Sequence, residues 1–300
     1  MEVLRAKFNS YRRPQFQTAT LLVEHQGSKR IVKRPLGTAA ADHVESLKRK
    51  CEALQGCYKR FRVLSPRLED GDALYEFDAN DALESKLAAY AVAGDKDGFL
   101  SELERFAAAV NAPATETDRW WATSEFVEVF GVAGPLLQKP MPCLNPANVD
   151  LSFSNVHLDP SEQTPFAMLD CEWTFDFAVP VYYVLWRALS RFLASHTQPA
   201  NQRWPVEDLY APLGVQTDDV PAFTEMESAF QRYVYGPTTL YGVPEKMVLK
   251  KRWTNFDDIA AWIDPETGEP ARVKATYESS LSWRVTKPLR ALKNLLRGLD

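Results

Sequence analysis

The stretch from Asn148 to Pro180, NVDLSFSNVHLDPSEQTPFAMLDCEWTFDFAVP, constrains the fold more than any other, because it spaces acidic and amide side chains around one reversal of the backbone. Asp150 and Asn155 are separated by four residues, and Val156, His157 and Leu158 follow as a short strand. Asp159-Pro160-Ser161 is a turn-forming patch. The apolar run Phe166 to Leu169 then ends on Asp170, so a hairpin delivers Asp170 back beside Asn155. Two oxygen ligands suited to a hard metal ion then share one mouth.

Phosphoryl transfer from a magnesium nucleotide asks for such a mouth, because its chemistry is mostly positioning and charge neutralisation. In that reading Asp150 is the base near an acceptor hydroxyl, and Asn155 and Asp170 are the magnesium ligands. Read without catalysis, Asp150 is a turn or cap residue, Asn155 a loop amide and Asp170 a strand-end aspartate, since these residue types bond readily to nearby backbone.

The order D-x-x-x-x-N, hairpin, apolar run, D resembles the catalytic loop and metal-binding segment of the protein kinase and aminoglycoside phosphotransferase superfamily. More narrowly, DLSFSN followed by LDCEWTFDFAVP resembles kinase-like regions of bacterial surface-polysaccharide proteins, some of them joined to sugar methyltransferases or glycosyltransferases. Two departures stand out. Asn148 occupies the position where protein kinases usually carry histidine, and Asp170 is followed by Cys171 and Glu172 instead of Phe-Gly. The D-x-E form is similar to the small-molecule branch. The resemblance further implies that Asp176, in FDFAVP, steadies the catalytic loop; without it, Asp176 is a helix N-cap.

With 300 residues, 45% hydrophobic and 25% charged, the chain has material for a sizeable core arranged as two lobes. A net charge of -5 argues against a generic nucleic-acid binder, which needs clustered positive charge. Cys51, Cys57, Cys143 and Cys171 form no C-x-x-C pair and read as buried small apolar residues in a reducing compartment. No apolar run reaches membrane-spanning length and MEVLRAKFNSYRR lacks the apolar core of a secretion signal, so a cytoplasmic protein is expected.

The first 78 residues read as a β-rich, nucleotide-binding lobe. Thr18 to Glu24 and Ile31 to Lys33 form a hairpin around Gln26-Gly27-Ser28. Lys33, in IVKRPL, resembles the lysine that contacts nucleotide phosphates in kinases, and strand alternation sets it on one face with Ile31. Ala39 to Leu54 carries Val44, Leu47, Cys51 and Leu54 at helical spacing, matching the kinase C helix. Its acidic partner for Lys33 is unresolved in the sequence: Glu45 and Glu52 lie off the apolar stripe, His43 nearer its edge, and Glu45 is a weak candidate. A glycine-rich phosphate loop is missing. FNSYRRPQF stands in its place, with Ser10, Arg12 or Arg13 as phosphate contacts or as solvated residues. Ala73 to Phe77 forms a strand before Asp78-Ala79-Asn80-Asp81, and the resemblance implies a hinge there whose backbone at Glu76 and Phe77 holds the adenine edge.

Residues 79–270 read as a larger helical lobe. LESKLAAYAVAG ends on a capping Gly94, Phe99 to Val110 is helical, and Pro180 precedes an apolar helix from Val181 to Ala194. A proline-rich insertion from Gln198 to Asp219 and a helix near Phe223 to Val234 follow. Trp204, Tyr233, Tyr235, Tyr241, Arg252 and Trp253 either stack on an acceptor's sugar rings or pack in the core. In residues 271–300, Leu289, Leu292, Leu295, Leu296 and Leu299 share a helical face beside Arg290, Lys293 and Arg297. This basic amphipathic tail suits an anionic membrane surface, a protein partner, or packing on the body. The expectation is thus an α+β, two-lobed, protein kinase-like fold, a small β-rich lobe and a larger helical one. It would use ATP and magnesium to phosphorylate a hydroxyl of a small molecule or glycan. The competing expectation is a catalytically inactive binding or scaffold module.

Overall fold

The structure, a computed structural model, describes residues 2–117, 120–131, 140–196 and 204–236. Its N-terminal part is an antiparallel sheet of five strands in the order β1-β2-β3-β6-β5. These are β1 (Glu2–Phe8), β2 (Thr18–His25), β3 (Ser28–Pro35), β5 (Arg67–Glu69) and β6 (Asp72–Glu76). The β2–β3 turn places Gln26 and Gly27 at φ 51° and 76°, and the β5–β6 turn places Asp70 and Gly71 at 52° and 82°. Two successive positive φ angles are the mirror-image turn whose twist matches that of paired strands, which glycine in the second place makes cheap.

One face of this sheet buries Ala6, Ala19, Leu21, Val23 and Val32 in a small cluster of its own. The other carries Ile31, Ala73 and Tyr75 against the main core, where α1 (Ala41–Cys57) lays down Val44, Leu47, Cys51 and Leu54. The helix therefore packs through the stripe read from the sequence, but it begins and ends later than the periodicity alone marks. Of the four cysteines, Cys57 departs from expectation: it is exposed at the helix end, beyond the buried stripe.

The strand β4 (Phe61–Val63) leaves the first sheet's neighbourhood and pairs in parallel with β11 (Phe166–Met168), which pairs antiparallel with β10 (Val156–Leu158). The hairpin read from the sequence is therefore extended by a strand from the N-terminal part. The Leu64 N–H donates to the Met168 carbonyl at 3.0 Å, continuing that seam.

The remainder is largely helical. In α2 (Leu83–Ala93) and α3 (Lys96–Asn111), Gly94 caps the first helix at φ 75° and Asp95 caps the second through its side chain. The three-stranded sheet β13-β8-β7 joins β7 (Thr115–Thr117), β8 (Met141–Leu144) and β13 (Val179–Pro180), and the two-stranded β12-β9 joins β9 (Ala147–Asn148) and β12 (Thr174–Phe175). The central helix α5 (Val181–Ser195) buries ten of its fifteen residues. It packs with α4 (Ser124–Phe130) and α7 (Val220–Tyr235) through Phe130, Tyr183, Phe223 and Phe230. The segment read as an insertion includes α6 (Val206–Tyr210), whose Leu209 and Tyr210 are buried and whose Asp208 pairs with Lys96 at 2.7 Å. Trp204, Tyr233 and Tyr235 pack against the core; Tyr241, Arg252, Trp253 and the basic tail lie outside the described residues. Among the described residues no helix is long and apolar enough to cross a membrane.

Candidate active site between the sheet and the helical part

The loop between β9 and β10 carries Asp150, and a single turn of 3-10 helix at Phe153–Asn155 brings the chain back on itself. Asn155 Nδ2 donates to Asp150 twice, at 3.0 Å to the backbone carbonyl and at 3.0 Å to Oδ2. The β10–β11 hairpin then returns the chain so that the Leu169 N–H donates to the Asn155 carbonyl at 3.0 Å, one residue before Asp170. Four intervening residues thus suffice to loop Asn155 onto Asp150, and the hairpin delivers Asp170 to the same place.

Asn148 ties these pieces together. Fully buried, it accepts from the Asp150 N–H at 3.0 Å through Oδ1 and donates through Nδ2 to the Asp170 carbonyl at 2.7 Å. An amide performs both tasks because it carries an acceptor and a donor on one carbon. Asn148 thus bridges the Asp150 loop and the Asp170 segment. Asp176 takes no part in it: it is exposed and pairs with Arg49 of α1 at 2.8 Å, while Pro180 occupies the N-cap of α5. Arg187, buried in α5, also steadies the loop. Its guanidinium donates to the Val149 carbonyl at 2.7 Å and to Asp150 Oδ1 at 3.1 Å, and is anchored from behind by Glu227 at 2.7 Å. An arginine set two turns into VYYVLWRALSRFLAS, among residues that are otherwise apolar on that face, was the signal available in the sequence.

Lys33 is 5% exposed and grips Asp170 with its ammonium 2.7 Å from both carboxylate oxygens. Its second partner is Glu172, at 3.2 Å. The acidic partner sought on α1 therefore comes from the segment after β11, and Glu45 is exposed to solvent. From α1 the site takes His43 instead, whose Nε2 lies 2.9 Å from Glu172 Oε1; Arg12 binds the same oxygen. Glu172 is 3% exposed, and burial alone would drive its carboxyl up. Arg12, Lys33 and His43 outweigh that and hold it well below the usual carboxylate range. For Lys33 burial pulls the ammonium down, and Asp170 with Glu172 more than restores it, so it stays charged.

The segment FNSYRRPQF is no loose flap. Arg12 is 9% exposed, not solvated, and lies over the Trp173 ring at 5.2 Å. The Arg13 N–H donates to the Val234 carbonyl of α7 at 2.9 Å, and Phe16 is buried against His43, Trp173 and Tyr233. On β1, Lys7 is lowered by burial and by the neighbouring charge of Lys33. Lys7, Arg12 and Lys33 thus set three cations around the two carboxylates Asp170 and Glu172.

Glu76 ends β6 exposed, and Phe77 is exposed with the Lys29 ammonium 5.9 Å from its ring. Two residues on from Glu76, Asp78 is held in place: it binds Arg62 and accepts from His157 Nδ1 at 3.1 Å. Asn155 and Asp170 fit magnesium by donor chemistry: both offer hard oxygens, and Asn155 Oδ1 accepts no hydrogen bond among the described residues.

No family model matches the chain, and no curated protein matches it. Among solved structures it is similar to the macrolide 2'-phosphotransferase MphH from Brachybacterium faecium, at 14% identity over 76% of this chain and 82% of that one, with a TM-score of 0.35. It is also similar to choline kinase LicA from Streptococcus pneumoniae, at 15% identity over 78% and 92% of the two chains, TM-score 0.32. A third is an ethanolamine kinase of Plasmodium vivax, at 12% identity over 76% and 72%, TM-score 0.34.

Proposed function

We propose that this protein is a kinase of the small-molecule kind, transferring the γ-phosphoryl group of ATP to a hydroxyl of a small molecule or glycan. The observation that carries this reading is the convergence of Lys33 on Asp170 at 2.7 Å, in a segment that Asn148 ties to the loop holding Asp150 and Asn155. Lys33, with Lys7 beside it in place of a glycine-rich loop, binds the phosphate chain, which carries the negative charge these cations are built to meet. Asn155 and Asp170 would hold a magnesium ion, which would supply neutralisation of the phosphates' charge. Asp150 is held in orientation by Asn155 on Oδ2 and Arg187 on Oδ1. It takes the proton of the acceptor hydroxyl as that oxygen bonds to the γ-phosphorus and the bond to the β-phosphate oxygen breaks, releasing ADP. Backbone groups at Glu76 and Phe77 hold the adenine edge.

The finer assignment, surface-polysaccharide assembly in the cytoplasm, is supported by the likeness of DLSFSN and LDCEWTFDFAVP to such kinase-like regions. A second reading, a scaffold without transfer activity, is favoured by one observation: the β1–β2 connection is docked on α7 through Arg13 and Val234 instead of being free to close on phosphates. A γ-phosphate transfer assay separates the two. Asp150→Asn should lower turnover by about 10² to 10⁴ with ATP affinity nearly unchanged. Asp170→Asn should weaken magnesium-dependent ATP binding itself. Parent-like behaviour of both variants in a working assay would remove the site assignment.

A further inference from the structure

Beside Asp150, on the side occupied by Arg187, lies a small pocket lined by Arg12, Asp150, Arg187, Arg191 and Gln231. Its volume is about 30 Å³, room for roughly two waters, which is the scale of one carboxylate or phosphate head and far below that of a sugar ring. Three guanidinium groups against one carboxylate is an unusual lining for a pocket at a general base.

The charges are not all spent within the protein. Glu227 stands behind the pocket with Oε2 accepting from Arg187 and Tyr183 and Oε1 from Gln231, so its acceptors are occupied. Glu172 likewise takes up one end of Arg12. Arg12 Nε is buried and has no hydrogen-bond partner among the described residues, an expensive state for a charged donor. Arg191 is half-buried; its charge helps hold Glu227 ionised from a distance, and its guanidinium makes no hydrogen bond among the described residues. Trp173 and Phe230 back the pocket as platforms, with Arg12 over the first ring at 5.2 Å and Arg187 over the second at 5.0 Å. The rings fix the planes of both guanidinium groups, which then lose little freedom on meeting a planar or tetrahedral oxyanion.

We infer that this pocket is an anion subsite for the acceptor, and that the hydroxyl phosphorylated here belongs to a molecule bearing a carboxylate or phosphate. The inference rests on the kinase reading for the identity of Asp150, but not for the anion binding itself. Anchoring the acceptor through its charge sets the hydroxyl at Asp150, and the same charge excludes amino alcohols and amino sugars, whose ammonium groups meet Arg191 and Arg12.

The test uses the full chain, with inorganic phosphate as probe and Arg191→Gln as variant. Calorimetric titration of phosphate is run on the free protein and on protein saturated with magnesium and a non-hydrolysable ATP analogue, so that the γ-phosphate position is already filled. Phosphate should bind in both states, and Arg191→Gln should weaken it at least tenfold without changing analogue affinity. No binding to the parent, equal binding to the variant, or binding abolished by the analogue each overturns the subsite, the last by giving the pocket to the γ-phosphate. Transfer is then compared within matched acceptors: glycerol against glycerol 3-phosphate, and glucose against glucuronate and glucosamine. Anionic members should be favoured at least tenfold in kcat/KM, with the preference lost through KM in Arg191→Gln; a preference for glucosamine or for the neutral members overturns the inference. Absence of any transfer, with phosphate bound as described, counts against the kinase reading and leaves the anion subsite standing.

Discussion

Glu172 is a carboxylate buried in this site, and its three partners explain why the chain tolerates it. A buried carboxylate is stable only when paired and hydrogen-bonded, and this one has Arg12, Lys33 and His43 on its two oxygens and the Lys50 ammonium 2.7 Å from its carbonyl. Truncation strands the Arg12 and Lys33 charges and leaves the His43 ring without its partner, so Glu172→Ala should cost about 3 to 5 kcal/mol in denaturant unfolding and should weaken ATP binding by loosening Lys33. Acid acts on the same cluster. In the folded chain burial lowers His43 below its ordinary 6.5 despite Glu172, and Glu172 itself is held below its ordinary 4.5. In each case the unfolded state binds the proton more readily, so stability falls as pH falls. What the pair contributes is present above pH 6.5 and is lost in two stages, first below 6.5 and then below 4.5. Thermal melts from pH 7.5 to 4 should show this, with the upper stage missing in His43→Gln; a melting temperature that climbs between pH 6.5 and 5 would contradict it. In the sequence Glu172 was visible as the second acid of D-x-E, yet its pairing with Lys33 was not, because 139 positions separate the two and no local pattern links them.

At the scale of elements, the long helices and the β10–β11 hairpin were legible, and several other short strands were not. Val44, Leu47, Cys51 and Leu54 repeat at helical spacing and all four are fully buried. By contrast β4, β9, β12 and β13 have two or three residues each, too few for any periodicity to register. Their pairing is decided by partners far along the chain, as when Phe61 of β4 meets Phe166 of β11. Asp176 illustrates the opposite error: a plausible local role, helix cap or loop support, lost to a surface ion pair with Arg49 once α1 packs nearby. The site also depends on the docked β1–β2 connection, which carries Arg12. Phe16 holds it by filling a pocket among His43, Trp173 and Tyr233 with ring centroids 5.1 to 5.2 Å apart. Phe16→Ala should therefore cost about 3 to 5 kcal/mol and free Arg12 from Glu172. Chemical denaturation reads the first effect, and the second appears as weaker ATP binding. A loss under about 1 kcal/mol would mean the connection is held by its backbone bond to Val234 alone.

The whole molecule joins a sheet-rich N-terminal part to a helical remainder, and the seam between them runs through β4 beside β11 and through Asp78, which is shared by Arg62 and His157. The basic segment that follows lies outside the described residues, and its proposed role belongs to the molecule as a whole. If Arg284, Lys287, Arg290, Lys293 and Arg297 meet anionic lipid, each adds about 1 kcal/mol near the surface and added salt weakens the attachment. Co-sedimentation with vesicles containing anionic lipid should be salt-sensitive and should vanish on removing residues 281–300; sedimentation unchanged by that deletion would discard the role. By itself the sequence determined the turns, the amphipathic helices and the spacing of Asp150, Asn155 and Asp170, because each is written within a few residues through φ preference, periodicity or loop length. Tertiary structure alone decided that Glu172 and not a residue of α1 faces Lys33, that Asn148 bridges two loops, and that Arg187 reaches Asp150 from α5. Those are pairings of buried charge and amide across the core, and a buried polar group takes whichever partner the packing of distant elements brings within reach.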